Sequence, residues 1–209
     1  MTRDRTRTHP DHPALVIGIV GSYRKHGTID TAVNEILEAA AHQGAEVRKI
    51  YLQDQHIEFC TNCRHCLQVP GRGPCIHDDD MAQILDAIEA ADALVLGAPV
   101  NFGNVNALTR RFLERTVCYG YWPWEAKAPL PPTSKPTKKA VLVTSSAAPG
   151  FLARWLTGAL SALKDLARML GAKPIGSLWL GMIDPRHSQL SAAQRRRAQY
   201  LGHQLAIAS

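Results

Sequence analysis

The chain has 209 residues, 45% of them hydrophobic and 20% charged, a balance that supports a sizeable core and excludes a disordered polymer. Lys and Arg number 24 against 18 Asp and Glu, a net charge of +6. The basic residues lie in small scattered groups (Arg3/Arg5/Arg7, Lys135/Lys138/Lys139, Arg195–Arg197) without interleaved aromatics, so no nucleic-acid partner is expected. No apolar run approaches the ~20 residues that cross a bilayer, and the polar opening has no signal-peptide core, so no membrane partner and a cytoplasmic location are expected.

Residues 1–13 read as a flexible arm and 14–209 as a single domain. Ala14–Val20 (ALVIGIV) is a continuous β-branched run ending at Gly21, the pattern of a strand buried on both faces. From Thr28 an apolar stripe of Ile29, Val33, Ile36, Leu37 and Ala40 predicts a helix. Ala45–Leu52 reads as a second strand, followed by a cysteine-rich loop. Met81, Ile84, Leu85 and Ile88 predict a helix with Asp80 as its N-cap and Gln83 completing a capping box. Asp78-Asp79-Asp80 is accordingly read as helix-terminal charge and not as a metal site.

Ala93–Ala98 is a third strand, Val105–Val117 a helix and Lys139–Ser145 a fourth strand. Phe151–Leu170 reads as one long helix whose inner face is Leu152, Trp155, Leu156, Ala159, Leu160, Leu163 and Leu170. Ile175–Met182 is a fifth strand and Ser191–Ile207 a closing helix. Five apolar strands alternating with helices predict a three-layer α/β fold, its doubly wound parallel sheet ordered 2-1-3-4-5. Ligands in such folds bind beyond the carboxyl ends of the strands, so the loops after Val20, Ala98 and Ser145 are the expected site.

The first loop, Gly21-Ser22-Tyr23-Arg24-Lys25-His26-Gly27-Thr28, opens into a helix whose free N–H groups suit a phosphate. It matches neither GxGxxG nor GxxxxGK[ST]. The second, Ala98–Asn106, offers rigid Pro, Gly and Asn backbone together with Phe102, a side chain that can lie on an aromatic ring. The third, Thr144–Phe151, is small and polar, and lets a flat ligand approach closely.

Cys60-x2-Cys63-x2-Cys66-x8-Cys75 brings four thiols into one loop, in a chain where a disulfide framework is not expected. Three cysteines at two-residue gaps and a fourth downstream suit an iron–sulfur cluster, while redox-active thiols and a zinc ion remain alternatives. Pro70–Pro74 reads as a flexible insert, His65 as exposed, and Cys118 as a buried small hydrophobe.

GSYRKHG, then C-x2-C-x2-C with a downstream cysteine and DDDM, then GAPVNFGNVNALTRRFLER, in this order and spacing, resemble the flavodoxin-like NADPH-dependent FMN reductase family. The four cysteines resemble its iron–sulfur flavoprotein branch, and the likeness spans roughly residues 14–182. It implies an FMN whose phosphate sits on Ser22, Arg24, Gly27, Thr28 and Ile29. The ring would lie against Pro99, Val100, Asn101, Phe102, Gly103, Asn104, Thr144, Ser145, Ser146 and Gly150. The chain departs from the family where Gly27-Thr28-Ile29 replaces a common G-N-T, and where Asn101 stands in place of a frequent aromatic.

The resemblance further implies NAD(P)H as co-substrate, a [4Fe–4S] cluster on Cys60, Cys63, Cys66 and Cys75, a homodimer, and a small-molecule or protein electron acceptor. Hydride chemistry belongs to the flavin, so no catalytic acid, base or nucleophile is assigned. Trp122 and Trp124, in the Pro-rich stretch from Gly120 to Pro136, read as a lid over the flavin or a subunit contact. Two other functions fit parts of the pattern: an electron carrier between proteins, and a zinc-stabilised nucleic-acid-binding module.

Overall fold

A computed structural model describes residues 12–129, 136–184 and 186–207. The arm expected at residues 1–13 falls almost wholly outside the described residues, as does Lys135. Among the described residues six strands form: β1 (Leu15–Val20), β2 (Glu46–Tyr51), β3 (Ala93–Asn101), β4 (Asn104–Val105), β5 (Lys138–Ser145) and β6 (Ala172–Leu180). Five of them make the parallel sheet, in the order β2-β1-β3-β5-β6, and β4 folds back antiparallel on β3. With that two-residue strand set aside, the order is the expected 2-1-3-4-5.

Alternation along the buried strands sends side chains into two cores. Ile17, Ile19, Leu94, Leu96 and Leu142 join the core under α2 (Met81–Ala90), α3 (Ala107–Arg115) and α5 (Ala159–Met169). Val16, Val20, Val95, Val141 and Val143 meet α1 (Thr28–Ala41) and α6 (Ala192–Ala206) on the opposite face. Burial on both faces is why these strands read as unbroken apolar runs. The parallel order places the carboxyl ends of β1, β3 and β5 side by side.

Four expectations need correction. The long helix over Phe151–Leu170 is two helices, α4 (Gly150–Leu156) and α5. The chain breaks at Gly158, whose N–H donates to Gly103 O at 2.7 Å and whose Cα faces the Asn104 amide too closely for a larger residue to settle easily. As a result Leu152, Trp155 and Leu156 are exposed, at 44%, 88% and 70%, while Ala159, Leu163 and Leu170 are buried as expected.

Asp80 does not cap α2 with its side chain. Its Oδ2 accepts the His56 N–H at 2.7 Å, and the Met81 N–H goes to Asp79 Oδ1 at 3.1 Å. The helix expected over Val105–Val117 begins at Ala107 because the Asn106 side chain caps it, accepting from Thr109 N at 3.0 Å. It ends at Arg115 in a single 3-10 turn, Thr116–Tyr119. Pro70–Pro74 is tied down: Gly73 N–H donates to Cys118 O at 2.9 Å, and Arg72 pairs with Asp86 at 2.6 Å.

Candidate functional site

The three expected loops meet at the carboxyl edge of the sheet. Gly21 N–H donates to Gly97 O at 2.7 Å, tying the end of β1 to β3, and Ser145 pairs with Pro99 across β3 and β5. Gly21 O accepts from Asn106 Nδ2 at 2.8 Å and Thr109 Oγ1 at 3.1 Å. A Cβ at Gly21 would stand 2.1 Å from Thr109 Oγ1, so only glycine fits beneath α3. Asn106 and Thr109 were not singled out from sequence, although Asn-x-x-Thr before an apolar stripe is a capping pattern.

Beyond Gly21 the chain turns through residues 22–27. Ser22 is buried, and its Oγ accepts the Arg24 N–H at 3.1 Å. Gly27 precedes α1 in an extended conformation, and no side chain caps the helix. Ile29 is buried, so it can offer a ligand only its backbone N–H. Asp30, which the sequence left without a role, lies buried beneath the turn. Burial opposes its charge, but hydrogen bonds from Lys49, His26 N–H and Tyr51 prevail and hold the carboxyl below its ordinary value.

In the second loop, β3 runs on through Val100 and Asn101, and Phe102-Gly103 form a two-residue turn into β4. Both turn residues have positive φ, 45° and 74°, the pairing that suits strand twist in a tight hairpin. Phe102 is therefore held in a conformation that bulky residues avoid, with its ring wholly exposed. In the third loop Thr144, Ser145 and Ser146 are buried. Ser146 Oγ accepts from Trp179 Nε1 at 3.0 Å and donates to Ala148 O at 2.9 Å. Thr144 Oγ1 is buried with no hydrogen-bond partner. Gly150 opens α4 with Trp179 2.9 Å from where a Cβ would stand.

The cysteine loop forms a second centre. Cys60, Cys63, Cys66 and Cys75 line one pocket with Arg115, His77 and Cys118. Burial and the nearby thiols of Cys75, Cys60 and Cys63 push the Cys66 thiol up. Arg115 and Asp79, each almost fully buried, form a two-pronged ion pair, with Nη2 to Oδ1 at 3.1 Å. Asp79 Oδ2 also accepts the Glu58 N–H at 2.8 Å, so the Asp78–Asp80 run anchors the cysteine loop as well as starting α2.

Trp122 and Trp124 grip Arg64, whose guanidinium lies 4.0 Å and 4.6 Å from their ring centres. Arg64 Nη2 donates to Trp122 O at 3.0 Å. Within the chain these rings therefore brace the cysteine loop. His65 is exposed and Cys118 buried, as expected. Among the described residues, no three His, Cys, Asp or Glu side chains stand close enough to hold a single metal ion.

Comparison with known proteins matches residues 14–195 to the NADPH-dependent FMN reductase family. An iron–sulfur flavoprotein of Archaeoglobus fulgidus is 35% identical over 107 residues, covering 51% of this chain and 47% of that protein. The chain thus spans about half the length of the curated relatives it matches. An NAD(P)H:quinone oxidoreductase from Methanothermobacter marburgensis superimposes with a TM-score of 0.67 at 16% identity, over 92% of this chain and 98% of that one. An FMN-dependent NADH-azoreductase from Bacillus anthracis, solved in complex with FMN, gives 0.66 at 13% identity, over 93% and 99%. At such identities these structures speak to the fold, which is flavodoxin-like. The sequence match carries the assignment: this chain belongs to the NADPH-dependent FMN reductase family.

Proposed function

We propose that the chain binds FMN across the three loops and oxidises NAD(P)H through it, passing the electrons to a small-molecule or protein acceptor. The observation that carries this reading is the uncapped N-terminus of α1 behind the Gly21–Gly27 turn. Backbone N–H groups of Thr28 and Ile29, the hydroxyls of Ser22 and Thr28, and the Arg24 guanidinium are the groups that would hold the phosphomonoester. The unpartnered Thr144 hydroxyl fits a polar edge of the flavin at the third loop. Pro99–Asn104 and Ser145, Ser146 and Gly150 would border the ring.

Bound FMN supplies the hydride acceptance and onward electron transfer. The protein's part is to orient the ring, keep water from it and offer hydrogen bonds at its edges, without a dedicated acid or base. Exposed Phe151, Trp155 and Leu156 on α4 support pairing with a second copy of the chain.

The cysteine pocket would hold a [4Fe–4S] cluster on Cys60, Cys63, Cys66 and Cys75, which when present carries single electrons. Four thiols lining one pocket, three of them at two-residue gaps, offer the four ligands such a cluster takes. The test is to mix the FMN-loaded, oxygen-free protein with NADPH or NADH. Bleaching of the flavin absorbance within seconds is expected. Flavin that stays oxidised would instead favour an electron carrier reduced by another protein.

A further inference from the structure

Asp30 is the third residue of α1, and its side chain is 3% exposed. Oδ2 accepts the backbone N–H of His26 at 2.7 Å, reaching back over the start of the helix. Oδ1 accepts from Lys49 Nζ at 2.9 Å and from the Tyr51 hydroxyl at 3.0 Å, both side chains of β2. His26 holds φ at +59°, a left-handed conformation that a non-glycine residue keeps only when its surroundings impose it. The carboxylate is the group that imposes it. An anion beside a phosphate site would ordinarily weaken the site, but Lys49 cancels the charge where it arises.

We propose that Asp30, neutralised by Lys49 and hydrogen-bonded by Tyr51, is a positioning residue that fixes the Ser22–Gly27 turn in its phosphate-accepting shape before the nucleotide arrives. The proposal rests on the FMN reading above. Without the carboxylate, the His26 N–H loses its acceptor and the turn must be ordered by the incoming phosphate, so affinity falls. In that reading the ring lies on the other two loops, so its contribution is expected to be unchanged.

Riboflavin, which lacks the phosphate, separates positioning from a general effect on folding. Dissociation constants of FMN and riboflavin, read by flavin fluorescence, are compared for wild type, Asp30→Ala, Asp30→Asn and Lys49→Met. Asp30→Ala is expected to weaken FMN about tenfold or more and leave riboflavin within about twofold. Asp30→Asn, which keeps one acceptor oxygen for His26 N–H, recovers part of the loss. Lys49→Met uncovers the carboxylate charge and weakens FMN alone; it decides the matter if Asp30→Ala fails to fold. FMN affinity unchanged in both Asp30→Ala and Lys49→Met, or FMN and riboflavin falling together, would overturn the proposal. A wild type that binds riboflavin and FMN equally, or neither, would overturn the phosphate-site reading and this proposal with it.

Discussion

Arg115 Nη2 lies 3.4 Å from Cys75 Sγ. The same guanidinium is pinned by Asp79 and donates to Glu58 O at 2.8 Å, so the last residue of α3 holds both sides of the cysteine loop. Breaking a buried pair by removing one partner leaves an uncompensated charge. Arg115→Ala is therefore expected to cost about 3–5 kcal/mol, read by urea unfolding. Unchanged stability would contradict the account of this contact.

Acid should weaken the fold in a definite window. Burial raises the cost of charge at Asp79 and Asp30, but Arg115 and the Glu58 and Met81 N–H groups outweigh it for the first. Lys49, His26 and Tyr51 do so for the second. Both carboxyls thus sit below their ordinary value, near 3.9. The unfolded chain binds more protons, so their stabilisation is complete above about pH 5 and fades as pH falls through about 4 towards the folded-state values. Urea midpoints are expected to agree at pH 7 and 5 and to fall at pH 3.5, with Asp30→Asn showing a shallower acid decline than wild type.

Gly21→Ala drives a methyl group into Thr109 Oγ1 and Gly97 O. The end of β1 must shift, at a cost of about 1–3 kcal/mol. FMN retention after gel filtration is expected to drop more than thermal stability does, because the displaced segment is the root of the turn proposed to hold the phosphate.

The cysteines should differ sharply in reactivity. Burial, with Cys66 alongside, pushes the Cys118 thiol up to about 12, whereas Cys63 and Cys75 are exposed. In iron-free folded protein at pH 8, iodoacetamide is expected to label Cys63 and Cys75 early and Cys118 only after unfolding, as peptide mass spectrometry would read.

Arg64→Ala removes the cation held between Trp122 and Trp124. Tryptophan emission is expected to shift to the red, and the cysteine loop to become cleavable by protease, with a stability loss of about 1–2 kcal/mol. An unchanged emission spectrum would show that the rings are held by other contacts.

The sheet was legible because β1, β3 and β5 are buried on both faces, which leaves no polar residue to interrupt their runs. The loop positions followed from topology alone. What escaped was long-range: Gly158 breaks a helix because Gly103, 55 residues away in sequence, needs its N–H, and local periodicity carries no trace of that bond. The Asp78–Asp80 run was read as a local cap because the Arg115 that pairs with Asp79 is 36 residues distant. Asp30 drew no reading from the sequence, and only the neighbouring strand reveals what it holds.

Equilibrium dialysis of the wild-type protein against FMN tests the central claim most directly. The proposed phosphate site, a turn backed by an uncapped helix and joined by two loops at one sheet edge, predicts saturation near one FMN per chain. Well-folded protein that takes up none would contradict it.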